Sequence, residues 1–474
     1  MIVNLSKFKF KSLFFIFIFL LFSIILFLII TSDSISPDLL LPLFLTVMIF
    51  LIALIAVSFV IQRSDFDIFE LVYWSLAYFL LLFGIRSIHI FLYGSPFIGK
   101  FPFDSRTLSA FNFALFYILL SLIIFLIGYY SNLGLRLSNS VSSLYLLPKI
   151  WNVNKARVLI VILSITGLLF HLYFIRTLGG YKYYIFNKSE TMLATGNEYI
   201  KWGASLTNYA FFIAYIIWLK TRKLRFFYLI LLPINFLLAF LSGSKGSFLS
   251  IILVMLVIYS YLKKKIKILH IIYFVLFALI IIFPIFNAYR GNFEDFSELI
   301  LYGQKRIGHA LESEESFIYE IFHRFAGTDM LTIAVRDTPD VEPFQFGKTV
   351  YLILVAPIPR KLWADKPIIS VGRWFGMKYL NGFQGAAAVT IIGDGYINFH
   401  IAGIIFFSLV MGMFARFMYH YCIIRGVNYS SVYVYAIFFN ILFKSWELSI
   451  VTLIIRLILA AITTFVICFF LKDN

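Results

Sequence analysis

The chain has 474 residues, 62% of them apolar and 13% charged, with 57 phenylalanines and a mean hydropathy of +0.94. A soluble domain is roughly half apolar and about a quarter charged, and interior volume grows too slowly with length to hide such an excess. An ordinary cytosolic enzyme, a secreted disulfide scaffold and a disordered protein are excluded, and lipid is the main solvent. The 40 Lys and Arg against 23 Asp and Glu leave a charge of +17, which in such a chain reads as loops held on the cytoplasmic side rather than as nucleic-acid binding.

Apolar runs near the roughly 20 residues that cross hydrocarbon recur along the chain. They are 13–30, 39–61, 68–92, 108–130, 158–178, 204–219, 226–242, 247–262, 268–288, 396–419, 429–443 and 449–471, which predicts about twelve transmembrane helices. Lys7, Lys9 and Lys11 precede the first, as in a signal peptide, but no small-residue cleavage site follows, so it reads as a retained helix. With the N-terminus inside, the cytoplasmic segments carry 18 Lys and Arg and the short outer loops 7. That bias sets both termini in the cytoplasm. The mixed-composition stretch 289–395 then lies outside, with 11 Lys and Arg and 13 Asp and Glu. It is far too long for a structureless connection and is expected to fold. The apolar spacing of Phe317, Ile318, Ile321, Phe322 and Phe325 predicts an amphipathic helix over 316–325, and 349–358 reads as a re-entrant or interfacial segment. The expected organisation is helices one to nine over 1–288, a folded external segment over 289–395, and helices ten to twelve over 396–474.

Ionisable groups at membrane depth are costly and are candidates for function. Arg86, with His89 one turn on, and Arg176 fall toward outer helix ends, where snorkelling is an equal alternative. Arg416 and Arg456 have no assigned role. On the outer side Lys245 lies in SGSKGS, a turn whose backbone N–H groups could cradle an anion or simply close a hairpin. Arg290, His323, Arg324, Arg360 and Arg373 follow, with Trp363 and Trp374 interleaved and Asp394 between two glycines. Guanidinium forks match pyrophosphate oxygens, and tryptophan faces suit sugar rings or the headgroup level. Asp65 and Asp67 form an isolated DxD that reads as a solvated turn. Cys422 and Cys468 make no metal or redox pattern, and no nucleotide or metal motif occurs. An activated donor would therefore arrive on a lipid.

The ordered motifs SGSKGSFL (242–249), YRGNF (289–293), HRFAGTDML (323–331), PRKLWADKP (359–367), VGRWFG (371–376) and GDGYINF (393–399) resemble the O-antigen polymerase, or oligosaccharide repeat-unit polymerase, family of bacterial envelopes. The detailed resemblance covers roughly 240–410. It implies an all-α polytopic membrane protein of the bacterial cytoplasmic (inner) membrane with a large periplasmic loop of short helices. It is similar in this to GT-C-like, metal-independent glycosyltransferases with lipid donors. The implied reaction moves the growing glycan from undecaprenyl pyrophosphate to a sugar hydroxyl of the next lipid-linked repeat unit, without a cofactor or metal. Mapped here, the resemblance implies a pyrophosphate clamp of Arg290, Arg324 and Arg360 with Lys245, Arg373 and Arg86, glycan contacts at Trp363 and Trp374, and a base at Asp394 or His323 with Asp329 behind them. Implied partners are the undecaprenyl-pyrophosphate-linked oligosaccharide, membrane lipids and a chain-length regulator. Two alternatives stay open: a ligase passing the finished chain to a different acceptor, and a flippase of lipid-linked glycans.

Overall fold

The computed structural model describes residues 37–61, 66–93, 104–142, 148–187, 198–289, 298, 325–356, 358, 363, 365–367, 370–380 and 387–472. Every named element among them is a helix. Eight are long and apolar enough to cross a membrane: Leu40–Ser58, Leu71–Ile90, Ser105–Tyr130, Val153–Thr177, Tyr199–Thr221, Lys245–Leu262, Ile391–Ile424 and Ile450–Phe470. Three more are apolar but shorter, Arg225–Leu241, Ile268–Ile282 and Tyr429–Leu442. Helices thus fall on eleven of the twelve apolar runs; the run 13–30 and most of the amphipathic stretch 316–325 lie outside the described residues.

The elements are α1 (Leu40–Ile61), α2 (Leu71–Phe79) continued through a π-turn at Leu80–Gly84 into α3 (Ile85–Tyr93), α4 (Ser105–Tyr130), α5 (Asn132–Ser142), α6 (Val153–Thr177), α7 (Tyr181–Phe186), α8 (Glu198–Ala204), α9 (Leu206–Thr221), α10 (Arg225–Leu241), α11 (Lys245–Leu262), α12 (Ile268–Phe277) and α13 (Phe283–Ala288). The late segment supplies α14 (Gly327–Asp337), α15 (Lys348–Val355) and α16 (Val371–Tyr379); α17 (Ile391–Tyr419), α18 (Tyr429–Leu442) and α19 (Ile450–Phe470) complete the bundle. Short polar side chains set many of the starts by accepting first-turn N–H groups: Asp104 from Thr107, Asn152 from Asn154 and Lys155, Ser244 from Ser247, Thr390 from Gly393 and Ser449 from Thr452. Asn428 and Ser431 cap α18 reciprocally.

The centre of the bundle is the α4–α17 pair. Small residues let their backbones touch, because a Cβ on Gly128 would lie 2.4 Å from the Leu409 carbonyl and one on Gly412 would lie 2.1 Å from that of Phe125. Ser121 and Ser408 share a hydroxyl hydrogen bond of 2.7 Å one to two turns away. In hydrocarbon, close approach and such hydrogen bonds replace the hydrophobic drive between helices. The hydroxyl pair is the minor part: Ser121→Ala is expected to cost only about 0.6 kcal/mol in an unfolding titration.

Helix α17 is not one rod. Phe399 (φ −138°, ψ 21°) and His400 (φ 54°, ψ −143°) are non-helical, and the chain reverses there. Gly395 and Gly403, eight residues apart, come into backbone contact, with a Cβ on Gly403 meeting the Gly395 carbonyl oxygen at 2.1 Å. A straight helix would hold them about 12 Å apart. The span expected to begin near 396 is therefore a short helix, 391–398, folded back on a long one that starts after the break. His400 lies at the bend, among the rings of Tyr117, Phe344 and Tyr396.

The reading of the isolated DxD changes at Asp67, while Asp65 lies outside the described residues. Asp67 does not sit in a solvated turn: it accepts from Tyr261 (2.6 Å), Tyr419 (3.1 Å) and its own turn at Phe69 N (3.0 Å). Glu70, fully buried, accepts from Tyr129 and from Arg416 at 3.4 Å, and Tyr435 donates to the Phe69 carbonyl. Hydroxyls from four helices converge on this one acidic turn, at the end of the bundle opposite Lys245.

Candidate functional site

The late segment docks at the other end through a desolvated ion pair. The π-turn at Leu80–Gly84 adds a residue to the helical turn just before Arg86, and the Arg86 guanidinium meets Asp329 on α14 with Nε–Oδ2 2.7 Å and Nη2–Oδ1 3.2 Å. His89 Nδ1 lies 2.9 Å from Nη1, and Thr328 Oγ1 donates to the Phe83 carbonyl at 2.8 Å. Arg86 and Asp329 are 1% and 0% exposed. Burial pushes the Asp329 carboxyl up, while the hydrogen bonds and charge of Arg86 pull it back down. Gly327 makes the docking possible, because a Cβ there would enter the Leu82 side chain at 2.5 Å. Neither expected role fits this geometry: Asp329 as a reserve base and Arg86 as a phosphate ligand are spent on each other.

Asp394 is held in the same way. Its Oδ1 accepts from Thr349 Oγ1 and Asn398 Nδ2, both at 2.9 Å, and its Oδ2 accepts from Ile450 N at 2.8 Å, the first N–H of α19. A carboxylate at a helix N-terminus is favourably placed. The residue is fully buried, so it ties the short arm of the reversal, α15 and α19 together. Asn398 stands one helical turn from Asp394 and could have been found by spacing; Thr349, on the segment expected to be re-entrant, could not.

The cations divide. Lys245 opens α11, is 8% exposed and sets Nζ 4.5 Å over the Phe283 ring. Gly243, at φ 67°, makes the tight turn before it. Next to this turn Phe240 stacks on Tyr289 at 4.9 Å, the residue preceding Arg290 in sequence. Arg373 is partly buried in the first turn of α16, with its backbone N–H donated to Ser370 Oγ at 3.3 Å. Trp374 packs edge-on against Tyr379 at 5.9 Å, whereas Trp363 is 37% exposed. Lys366 is buried and donates to the Ala356 and Ile358 carbonyls at 2.9 and 2.6 Å, closing the turn after α15. Arg290, His323, Arg324 and Arg360 lie outside the described residues.

One acidic group, Glu447, has no part in the sequence motifs, and Lys444, one of the seven outer-loop cations, lies beside it in the chain. Glu447, in a short 3-10 turn between α18 and α19, accepts from the Tyr78 hydroxyl, and Lys444 donates to Ser250 Oγ at 3.1 Å. Glu447 is the one acidic residue between Asp394 and Asp473, a signal that the cost of charge in a membrane would have picked out. Among the described residues no group of three or more His, Cys, Asp or Glu could hold a metal ion.

A family model described as a domain of unknown function, DUF8712, matches residues 163–474, roughly the last two thirds of the chain. No curated protein and no solved structure matches it.

Proposed function

This chain belongs to the DUF8712 family, and we propose that it is a membrane glycosyltransferase that polymerises lipid-linked oligosaccharide repeat units. It passes the growing glycan from undecaprenyl pyrophosphate to the sugar hydroxyl of the next carrier-linked unit. In this reading about twelve helices cross the bacterial cytoplasmic membrane, both termini are cytoplasmic, and the 289–395 segment is periplasmic.

The observation that carries the reading is the corner where the Lys245 turn, Phe240 and Tyr289 meet, because it brings one described cation next to the chain position that precedes Arg290. A leaving pyrophosphate needs fixed cations, and prepositioned ones stabilise its developing charge without reorganisation. Lys245, Arg290, Arg324, Arg360 and Arg373 form the clamp in this reading, with Trp363 and Trp374 beside the glycan. Arg86 and Asp329, joined to each other, hold the late segment in place and touch no substrate.

In cells lacking the native enzyme, Arg290→Ala is expected to leave single repeat units on the carrier and to lose the polymer ladder on a gel, about 100-fold or more in chain yield, the scale for a lost transition-state donor. Long chains at wild-type yield would overturn the clamp. Carrier-linked polymer that is never transferred onward would favour ligase-type transfer instead.

A further inference from the structure

Helix α18 has 14 residues, which rise about 21 Å, well short of the ~30 Å of bilayer hydrocarbon. It ends at Leu442, and the chain turns through Lys444 and Glu447 before α19 begins at Ile450. Helices that are candidates to span surround this turn. Trp446 wedges between Phe79 and Phe125 at 4.9 and 5.1 Å, and Lys444 reaches Ser250 on α11. Irregular backbone at such depth is tolerated only inside protein or against a water-filled cavity. Lys444 and Glu447 are nevertheless both partly exposed, as is Tyr78, which donates to Glu447. Ionisable residues at membrane depth are candidates for function, the more so where they stay partly exposed. Tyr78 also sets its ring edge-on to Phe325, 6.2 Å away, where the described part of the late segment resumes.

Glycosyl transfer to a hydroxyl needs a base that the hydroxyl can reach. Asp329 and Asp394 are fully buried, out of reach of an acceptor hydroxyl. Glu447 is partly exposed, stands on a turn fixed from both ends by Trp446 and by the Asp394–Ile450 hydrogen bond, and lies beside the late segment. We propose that Glu447 is the general base of the transfer, an inference that rests on the polymerase reading above. The Glu447 carboxylate takes the proton of the acceptor sugar hydroxyl as that oxygen bonds to the anomeric carbon of the donor glycan. The bond from the anomeric carbon to the phosphate oxygen breaks, and its electron pair leaves with the undecaprenyl pyrophosphate. The proton then passes from Glu447 to solvent, and the Tyr78 hydroxyl orients the carboxylate throughout.

The test uses full-length protein in lipid nanodiscs with undecaprenyl-pyrophosphate-linked repeat units, followed by gel separation of chain lengths. Glu447→Gln keeps the shape and the Tyr78 contact, so it is expected to unfold at the wild-type temperature and to retain the lipid donor in native mass spectra. Its turnover should fall by about 10²–10⁴-fold, the range for a lost general base, with Glu447→Asp recovering part of the loss. Polymer from wild type together with polymer from Glu447→Gln within about threefold would overturn the base assignment alone. No polymer from the folded wild type, given both lipid-linked substrates, would overturn the polymerase reading.

Discussion

Asp329→Ala is expected to destabilise the protein by about 3–5 kcal/mol, because it leaves the Arg86 guanidinium buried without its counter-charge. The pair is almost completely withdrawn from solvent, and both carboxylate oxygens are engaged. His89 cannot take over the charge, since it contributes only a ring nitrogen. Replacing both partners by apolar residues of similar size, Arg86→Met with Asp329→Leu, should recover most of the loss, because the desolvation cost of an ion pair disappears with the pair. The measurement is a detergent unfolding titration of the single and double variants. A single variant within about 1 kcal/mol of wild type, the value of an exposed pair, would show that water reaches the guanidinium and that the segment is not docked through it.

Gly403→Ala is expected to cost about 3 kcal/mol, the upper end for forcing one extra carbon into a packed interior. The neighbour is a backbone carbonyl 2.1 Å from where the Cβ would stand, so no side-chain rotation can relieve it. The reversal at Phe399–His400 must open, and Asp394 then withdraws from Ile450 and Thr349. Stability should therefore fall, and with it the proposed glycan transfer. Gly246→Ala is the control: it lies in the first turn of α11 with nothing nearer than 3.9 Å, and it should stay within about 0.5 kcal/mol of wild type. Equal unfolding midpoints for the two alanine variants would show that the glycine contact is not a constraint.

Hydropathy located the helices well, since a run of apolar residues must be helical in lipid whatever it packs against. It also gave the short run 429–443 that became α18, but it could not see that α17 turns back on itself. What bends α17 is a contact between Gly395 and Gly403 that only three dimensions reveal. The charged residues were legible as expensive, but not as paired. Arg86 and Asp329 are 243 positions apart, and no spacing rule connects them. Asp67 looked exposed because it falls in a very short loop between two apolar runs, while the tyrosines that donate to it come from α11 and α17. Glu447 was legible in principle, as a lone acid in an apolar stretch, and was passed over because it belongs to no motif.

The acidic turn that collects tyrosine hydroxyls sets an order on assembly in the membrane. Glu70 receives Tyr129 from a helix made soon after it, yet Asp67 waits for Tyr419, 352 residues later, and the Phe69 carbonyl waits for Tyr435, 366 residues later. Until the C-terminal helices leave the ribosome, the amino-terminal half carries carboxylates lacking these donors. A chain truncated before α17 would leave that turn without Tyr419, Arg416 and Tyr435.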